Sequence, residues 1–374
     1  MLNKEPEVRV GIMTAKEIDA RFLGGAPAEF ELGNVTIGKA FHWERRECQR
    51  FRGELEILRH PDGTLTAVNR IGIEEYLRSV IGSEMSRRSP LELLKAHAVI
   101  SRSWLLAQIR RDLRYEGIKA VQADDRTRSA GVTIDWQDRE DHTDFDVCAD
   151  DHCQRYQGVG DGKPNECVDE AIGTTRGEVL TYEGKICDAR FSKCCGGMTE
   201  DFSTCWEPHE HPYLRAVEDP YCAEATPEML ERSLNGYDRE DADTYRWSTD
   251  YMPGELEALL LQRSGIDFGE VTGLKPLKLG KSGRISLLEI TGTRARHIVG
   301  KELTIRRWLS TSHLKSSAFE ATRRTDGGWH LEGKGWGHGV GLCQIGAAVM
   351  ACKGFTYKDI LNHYYPGAVI DKLY

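Results

Sequence analysis

The stretch EYLRSVIGSEMSRRSPLELLKAHAVISRSWLLA, residues 75–107, holds two helical patterns on either side of a short break. Before the break, Tyr76, Leu77 and Val80 recur at helical spacing. After it, apolar residues that begin at Leu91 recur at the same spacing and predict one face of a long helix. The stretch therefore predicts two consecutive helices that meet at a corner.

The start of the second helix carries a capping signal. Ser89 is suited to cap it, Pro90 to occupy its first position, and Glu92 follows the cap by three residues, as a capping box requires. Glu84 falls in the break, so its side chain can face a cleft instead of the core. Taken alone, this glutamate fits a solvated surface carboxylate better.

Length and composition indicate a soluble globular chain with a large core, split between two lobes. The chain has 374 residues, of which 40% are hydrophobic and 29% charged, and its formal net charge is −9. This balance gives no basic surface for nucleic acid. No apolar run approaches the roughly 20 residues of a membrane span, and residues 1–20 lack the apolar core of a signal peptide.

Eleven cysteines, an odd number, include the adjacent pair Cys194-Cys195. Irregular cysteine usage without a signal peptide favours a reducing compartment. We therefore expect a cytoplasmic protein, or an exported one if an export segment is missing from this chain. A reactive-thiol function for the pair is open, although no Cys/His nucleophile pattern supports it.

The secondary-structure signals segregate along the chain and predict the α+β class. Residues 7–70 show short strands, residues 114–165 a long polar loop, and residues 224–265 two helices. The other strand patterns, the first of them with a hairpin turn at 182–185, are 174–192, 285–292, 297–309, 316–324 and 329–335. Two short helices close the chain, 344–352 and 357–364, the second capped by Thr356 and Asp359.

Two distant blocks resemble the SpoIID/LytB family of cell-wall proteins. The family pattern is close to YL-x-x-V-x-x-E-M-P, then W-P-x-E-A-L-K-A-Q-A-V-A-A-R-T, and residues 76–102 match it at most positions. Residues 333–367, GKGWGHGVGLCQIGAAVMACKGFTYKDILNHYYPG, resemble its G-x-G-W-G-H-G-V-G-M-S-Q-Y-G-A … Y-Y-P-G block. Ser86 and Ser89 depart from the pattern, where the family has proline and tryptophan, and this bears on the cleft wall and on substrate preference.

The resemblance implies that Glu84 is the catalytic acid, because the glutamate of E-M has that function in the family's lytic transglycosylases. It also implies a substrate-binding turn, since residues 190–206 resemble the block Y-S-S-T-S-G-G-x-T-E at Ser192, Gly196, Gly197, Thr199 and Glu200. The alternative for the two glycines is a tight turn between strands. Arg102 is predicted to orient the carboxylate or substrate, and a surface arginine is the alternative.

The glycine-rich C-terminal block supplies further candidates. Trp336 is suited to stack on a sugar face, and His338 and Gln344 to bind hydroxyls, with His338 also able to assist proton transfer. The alternatives are dense packing for the glycines and a structural histidine.

The polar loop contains a metal-binding pattern, His142, Cys148, His152 and Cys153. Two imidazoles and two thiols suit tetrahedral zinc, and four protein ligands would make it structural instead of catalytic. The resemblance supports this set, since some SpoIID-like proteins carry a His/Cys zinc cluster at the matching place. Ordinary thiols and surface histidines are the alternative. No organic cofactor is predicted.

We predict four regions: residues 1–70, a β-rich N-terminal part; 71–223, the catalytic core with the zinc-binding loop; 224–330, an insertion or second lobe; and 331–374, the block that completes the site. The predicted function is a lytic transglycosylase that cleaves the MurNAc–GlcNAc β-1,4 bond of peptidoglycan with one glutamate as acid and base. No second carboxylate presents itself, which suits this scheme.

Two alternatives are a non-catalytic glycan-binding protein that enhances an amidase, and an intracellular protein that acts on muropeptides or another glycan. The expected partners are peptidoglycan strands or muropeptides and an amidase, with no nucleic acid.

Overall fold

The computed structural model describes residues 4–25, 28–39, 44–119, 125–137, 142–159, 165–236 and 244–374. The α-helices of these segments are α1 (Ile73–Glu84), α2 (Leu91–Ile109), α3 (Glu166–Thr174), α4 (Phe202–Cys205), α5 (Pro227–Ser233), α6 (Glu255–Ser264), α7 (Glu302–Trp308), α8 (Gln344–Cys352) and α9 (Tyr357–Tyr364). Their mixture with many strands confirms the α+β class. In the described segments we find no helix with the length and apolar character that crossing a membrane requires.

The strands form several small sheets. In chain order they are β1 (Glu7–Ala15), β2 (Ala20–Gly24), β3 (Glu29–Ile37), β4 (Arg45–Arg52), β5 (Glu54–Arg59), β6 (Leu65–Gly72), β7 (Ile118–Lys119), β8 (Thr127–Ser129), β9 (Val132–Ile134), β10 (Val147–Cys148), β11 (Glu178–Tyr182), β12 (Lys185–Ile186), β13 (Phe191–Ser192), β14 (His209–Glu210), β15 (Arg246–Tyr251), β16 (Val271–Leu279), β17 (Ile285–Gly292), β18 (Arg296–Gly300), β19 (Phe319–Arg323), β20 (Trp329–Lys334), β21 (Leu342–Cys343) and β22 (Val369–Lys372). The largest sheets have the orders β10-β1-β6-β5 and β16-β17-β18-β9-β8.

Helices α1 and α2 form the corner that the sequence predicts, and α2 lies at the centre of the larger hydrophobic core. Most of α2 is buried on every side, because β11, α3, α8 and α9 all pack against it. The predicted capping box is wrong. Ser89 Oγ donates to the carbonyl of Ser233 (3.1 Å), and Glu92 accepts from Lys95 and from the backbone N–H of Tyr357. Tertiary partners have replaced the local cap at this helix start.

Other local predictions are confirmed. The turn between β11 and β12 has positive φ at Glu183 (51°) and Gly184 (73°), as a two-residue hairpin of type I′ requires. Helices α8 and α9 span the predicted residues, and Thr356 and Asp359 form the capping box of α9.

A second hydrophobic core lies between Trp247 and Leu331, where α6 and α7 pack near the five-stranded sheet. The prediction of strand throughout 297–309 is wrong, since β18 ends at Gly300 and α7 follows. Ile305, Trp308 and Leu309 are buried at helical spacing, so the segment presents one apolar face to this core.

The polar segment 114–165 connects both cores instead of forming one loop. Its strands β8 and β9 extend the sheet of the second core, whereas β10 pairs in parallel with β1 in the first. The predicted loop also covers 120–124, 138–141 and 160–164, which lie outside the described residues, as do 237–243 of the predicted second lobe. The four predicted regions stay a prediction.

Candidate active site

A cleft of about 730 Å³ opens between the α1–α2 corner, residues 146–155 near the predicted zinc ligands, and the glycine-rich C-terminal block. Five of the eight predicted catalytic and substrate-binding residues line it: Glu84, Ser192, Trp336, His338 and Gln344. Arg102, Gly196 and Gly197 do not. The structure therefore brings together residues from three distant parts of the chain.

Glu84 is the last residue of α1, and it is only 7% exposed. Its Oε1 accepts a hydrogen bond from the backbone N–H of Arg155 at 3.1 Å. Burial raises the pKa of Glu84, and the positive charges of Arg155 and Lys193 offset that rise only in part. A carboxyl group in this environment holds its proton to a higher pH than an exposed glutamate does, as a general acid requires.

Five further carboxylates line the cleft, although the sequence predicts none: Asp135, Asp146, Asp150, Asp151 and Glu302. Asp150 and Asp151 lie among the predicted metal ligands in the chain. Asp151 Oδ1 accepts from Arg155 Nε at 2.6 Å, so an ion pair holds this carboxylate. Burial, with a smaller contribution from Asp151, raises the pKa of Asp150 to about 6. No signal in the sequence indicates that the side chains of Asp150 and Asp151 face the cleft.

Ser192 and Gln344 provide hydrogen-bonding groups. Ser192 Oγ is buried and has no hydrogen-bond partner among the described residues. Gln344 Nε2 lies 3.0 Å from Nε2 of His97, whose Nδ1 lies 3.1 Å from Ser101 Oγ. Burial lowers the pKa of His97 to about 3, helped by the charge of Lys193, so the imidazole is neutral and orients the amide of Gln344.

His338 forms part of one wall with Trp206 and Arg190. The rings of His338 and Trp206 are 4.7 Å apart and edge to face, and the Arg190 guanidinium lies 4.3 Å from the Trp206 ring centre. Burial, together with Arg190 and Arg284, lowers the pKa of His338 well below its ordinary value. Because Nδ1 accepts from the N–H of Val340 at 3.0 Å, the neutral ring carries its proton on Nε2.

Trp336 is anchored by its backbone, which exchanges two hydrogen bonds with Cys194 of the 190–206 block (3.0 and 2.8 Å). Gly196 packs against this same turn, where an added Cβ would lie 2.8 Å from the backbone nitrogen of Gly335. The prediction that Gly196 and Gly197 contact substrate is therefore corrected. Gly196 allows two backbones to approach each other behind the cleft, and Gly197 has a positive φ of 111°, which favours glycine.

Arg102 is also corrected, since it neither reaches the cleft nor lies on the surface. It is fully buried and donates from Nε and Nη2 to the two oxygens of Glu74 (3.0 and 2.7 Å). Its Nη1 donates to the carbonyl of Glu178 at 2.9 Å. Although burial of Glu74 opposes it, Arg102 holds the pKa of this carboxyl below its ordinary value. The pair fastens α1 to α2.

The four predicted zinc ligands lie together. The ligand atoms of His142, Cys148, His152 and Cys153 are all within 4.8 Å of one another. Cys153 Sγ is 3.4 Å from His142 Nε2 and 3.4 Å from His152 Nδ1. A donor set of two nitrogens and two sulfurs at this spacing fits one tetrahedral zinc ion. Whether the site binds zinc stays a prediction.

Several cleft residues had no signal strong enough to be found in the sequence: Arg155, Arg190, Lys193, Trp206 and His97. Arg190 and Lys193 flank Ser192, so the block that contains Ser192 was the available signal. Arg155 follows the metal-binding pattern by two residues. His97 is buried on α2 and contacts the cleft only through Gln344.

Two family models match parts of the chain. Residues 61–182 match the model described as Stage II sporulation protein, and residues 200–341 match a domain of unknown function, DUF8618. The first match contains Glu84 and the four predicted zinc ligands, whereas the second contains the smaller core and the glycine-rich turn.

Characterised and uncharacterised relatives extend the similarity over most of the chain. An uncharacterized protein of Brachyspira hyodysenteriae (strain ATCC 49526 / WA1) is 28% identical over 86% of this chain and 72% of its own. The Stage II sporulation protein D of Bacillus amyloliquefaciens is 26% identical over 82% of this chain and 76% of its own. The Amidase enhancer of Bacillus subtilis (strain 168) is 24% identical over 79% of this chain and 40% of its own.

Proposed function

Since the chain belongs to the SpoIID/LytB family, we propose that it acts at the cell wall as a lytic transglycosylase. Its reaction is cleavage of the β-1,4 bond between MurNAc and GlcNAc, with Glu84 as acid and then base. The observation that carries the proposal is the environment of Glu84, a buried carboxyl group with a raised pKa at the wall of a glycan-sized cleft.

One carboxyl group is sufficient for this reaction. Protonated Glu84 donates its proton to the glycosidic oxygen as the bond from C1 of MurNAc to that oxygen breaks. The C6 hydroxyl of the same MurNAc then bonds to C1, and its proton passes to the Glu84 carboxylate. The products are a GlcNAc hydroxyl and a 1,6-anhydroMurNAc end, and Glu84 is protonated again. The hydrogen bond from Arg155 N–H to Oε1 holds one oxygen of the carboxyl group, so we assign the transferred proton to Oε2.

The other cleft residues suit an acidic amino sugar. The neutral His338 can donate from Nε2, and Ser192 Oγ can bond a hydroxyl or acetamido group. The Trp336 ring offers a stacking surface. Arg190 and Lys193 place positive charge in the cleft, which favours the lactyl carboxylate of muramic acid.

The Asp151 carboxylate, next to Arg155, bears on whether the reaction could instead be ordinary hydrolysis. A hydrolase needs a second carboxylate as base or nucleophile. Asp151 is held by the Arg155 ion pair, and its charge raises the pKa of Glu84. This arrangement supports Asp151 as a residue that tunes Glu84 instead of a nucleophile.

Zinc would be held by His142, Cys148, His152 and Cys153. Because the protein would supply all four ligands, no coordination position would be left for substrate. Bound metal would supply structural rigidity to a polar segment. That segment continues directly into Arg155, whose backbone N–H binds Glu84. We propose that the zinc site contributes by ordering this segment and takes no part in a chemical step.

A second candidate function is enhancement of an amidase, favoured by the similarity to the Bacillus subtilis Amidase enhancer. In that case the cleft binds glycan without cleaving it, and Arg190 and Lys193 contribute only to the affinity for the glycan. Glu84 would then contribute a hydrogen bond to the sugar and no proton.

One experiment separates these functions: incubation of the protein with intact and with amidase-stripped peptidoglycan, followed by mass spectrometry of the products. Anhydro ends are the result we expect, and reducing MurNAc ends would instead assign a hydrolase. Absence of cleavage on both substrates, together with faster stem release by an added amidase, would replace the proposal by the enhancer function.

A further inference from the structure

A second group of metal-ligating side chains lies behind the cleft, outside the site described above. The ligand atoms of Cys195, Asp219, Cys222 and Cys343 are all within 4.8 Å of one another, and all four residues are buried. They come from three separate segments: the turn after β13, the segment that leads into the 3₁₀ turn Tyr221–Glu224, and the end of β21. We call this group the inner cluster.

The spacing within the inner cluster is that of a single tetrahedral ion. Zinc–thiolate bonds of about 2.3 Å place two thiolates of a tetrahedron about 3.8 Å apart. Cys195 Sγ lies 3.5 Å from Cys222 Sγ and 3.1 Å from Asp219 Oδ2. The four thiolates of an iron–sulfur cluster span a wider site, because they bind two or four irons instead of one ion.

Asp219 gives a second, independent reason to expect a cation. Its carboxylate is fully buried, and within the described parts of the chain its hydrogen bonds come from neutral donors. Tyr364 hydroxyl donates to Oδ2 at 3.0 Å, and the backbone N–H of Tyr221 donates to Oδ1 at 3.1 Å. A buried carboxylate is normally paired with a cation or bound to a metal, since burying an isolated charge is costly.

The surroundings hold these groups in place as the outer shell of a metal site does. The backbone N–H groups of Cys195 and Gly346 both point at Cys343 Sγ, at 3.3 Å each. Gly346 lies in the first turn of α8, whose dipole favours a thiolate there. A Cβ at Gly346 would lie 2.4 Å from Asp219 Oδ2, so glycine leaves the room that the carboxylate occupies.

We propose that Cys195, Cys222, Cys343 and Asp219 bind one structural zinc ion, separate from the predicted loop site. Four protein ligands close its coordination shell, so the ion is structural. Its place behind the cleft gives it a function: it fastens the start of α8, which carries Gln344, to the strand segment that carries Ser192. Cys194, the neighbour of Cys195, pairs by its backbone with Trp336 and extends this support to the other wall. The inference is independent of the catalytic proposal.

The test isolates the inner cluster by removing the loop ligands. Metal content per chain is measured by inductively coupled plasma mass spectrometry on protein purified with zinc under reducing conditions. The His142→Ala/Cys148→Ser variant is expected to hold one zinc per chain. Adding Cys222→Ser and Cys343→Ser to that variant should remove it. Cys187→Ser is the matched control, since Cys187 is another fully buried thiol that lies outside the cluster, and it should leave the metal content unchanged.

The coordination itself is read by X-ray absorption on the loop-ligand variant, which leaves the inner cluster intact even if the added cysteine variants do not fold. Three sulfur neighbours near 2.3 Å and one lighter atom are expected. A folded loop-ligand variant without metal overturns the proposal. So does a mass that shows a disulfide between two of the three cysteines, because a disulfide removes the thiolates that would bind zinc.

Discussion

At Glu84, desolvation and nearby charge act in opposite directions. Burial raises the pKa of the carboxyl group, Arg155 and Lys193 lower it, and Asp151 raises it again. The net rise means that the folded chain holds the proton of Glu84 to a higher pH than the unfolded chain does. The stability that this proton contributes is therefore complete below the ordinary pKa of 4.5 and is lost as the pH rises through the raised value.

This linkage predicts the behaviour of Glu84→Gln. The variant keeps an oxygen for Arg155 N–H but has no charge to bury, so it should be more stable than the wild type above the raised pKa. Below pH 4.5 the two should be equal. Melting temperatures of both proteins, measured from pH 4 to pH 8 by circular dichroism, test this. A difference that is constant across that range would show that Glu84 is not buried as described.

Local periodicity predicted the helix corner at which Glu84 lies, whereas the resemblance to the SpoIID/LytB pattern is what indicated Glu84 as the acid. The sequence gave the wrong location for Arg102, because helical position alone does not say which neighbour a long side chain meets. The partner of Arg102 is Glu74, whose burial depends on residues as distant as Gly177 and Tyr374.

At the scale of elements, a buried ion pair between Arg102 and Glu74 joins α2 to α1. Arg102→Ala should lower the free energy of unfolding by about 3–5 kcal/mol, because it leaves the Glu74 carboxylate buried without its partner. Urea unfolding measures the loss. The matched control is Arg110→Ala, which breaks a partly exposed pair with Asp112 at the C-terminal end of α2 and should leave stability unchanged. Equal effects of the two substitutions would contradict the assignment.

The segment of the predicted zinc ligands continues into Arg155, whose backbone N–H binds Glu84, so we expect its order to affect the proposed reaction. Removing the predicted ion by Cys148→Ser should lower the melting temperature and reduce cleavage by at least about tenfold. Cys167→Ser, at an exposed cysteine of α3, is the control for loss of a thiol. Full activity in Cys148→Ser protein that has lost the loop ion would show that order in this segment does not affect the site.

Elements that depend on local signals were predictable. The β11–β12 turn and the α9 cap need only neighbouring residues, and both form as expected. The predicted capping box of α2 was wrong for the opposite reason. Ser233 and Tyr357, which are far away in the chain, bind the side chains of Ser89 and Glu92 that would have made the local cap.

At the scale of the whole molecule, Glu200 and Arg284 connect the two cores. Glu200 is fully buried and accepts from the backbone N–H groups of Lys281 and Ser282 (3.0 and 3.1 Å). Arg284 extends from the second core to the glycine-rich turn, where Nε donates to the carbonyl of Gly337 at 3.0 Å. These contacts place Trp336 and His338 over the cleft. No local pattern in the sequence predicts these hydrogen bonds, since each joins segments about 50–80 residues apart.

Gly339→Ala tests this connection. Gly339 has φ of 77°, and a Cβ there would lie 2.5 Å from Cζ of Arg284, which is fully buried. Gly354→Ala is the matched control, because φ is 89° but no atom lies within 4 Å of an added Cβ.

In urea unfolding, the control should lose about 1–2 kcal/mol from backbone strain alone. Gly339→Ala should lose about 3 kcal/mol or more, because Arg284 must also move. Equal losses would mean that Arg284 does not support the turn.

The most direct test of the catalytic claim is mass spectrometry of amidase-stripped peptidoglycan after incubation with the wild type, with Glu84→Gln and with the exposed control Glu170→Gln. We expect 1,6-anhydroMurNAc ends from the wild type and the control. We expect at least about a 100-fold lower rate from Glu84→Gln, whose fold and glycan binding are retained. Anhydro ends formed at the wild-type rate by Glu84→Gln would contradict the assignment of Glu84 as the catalytic acid.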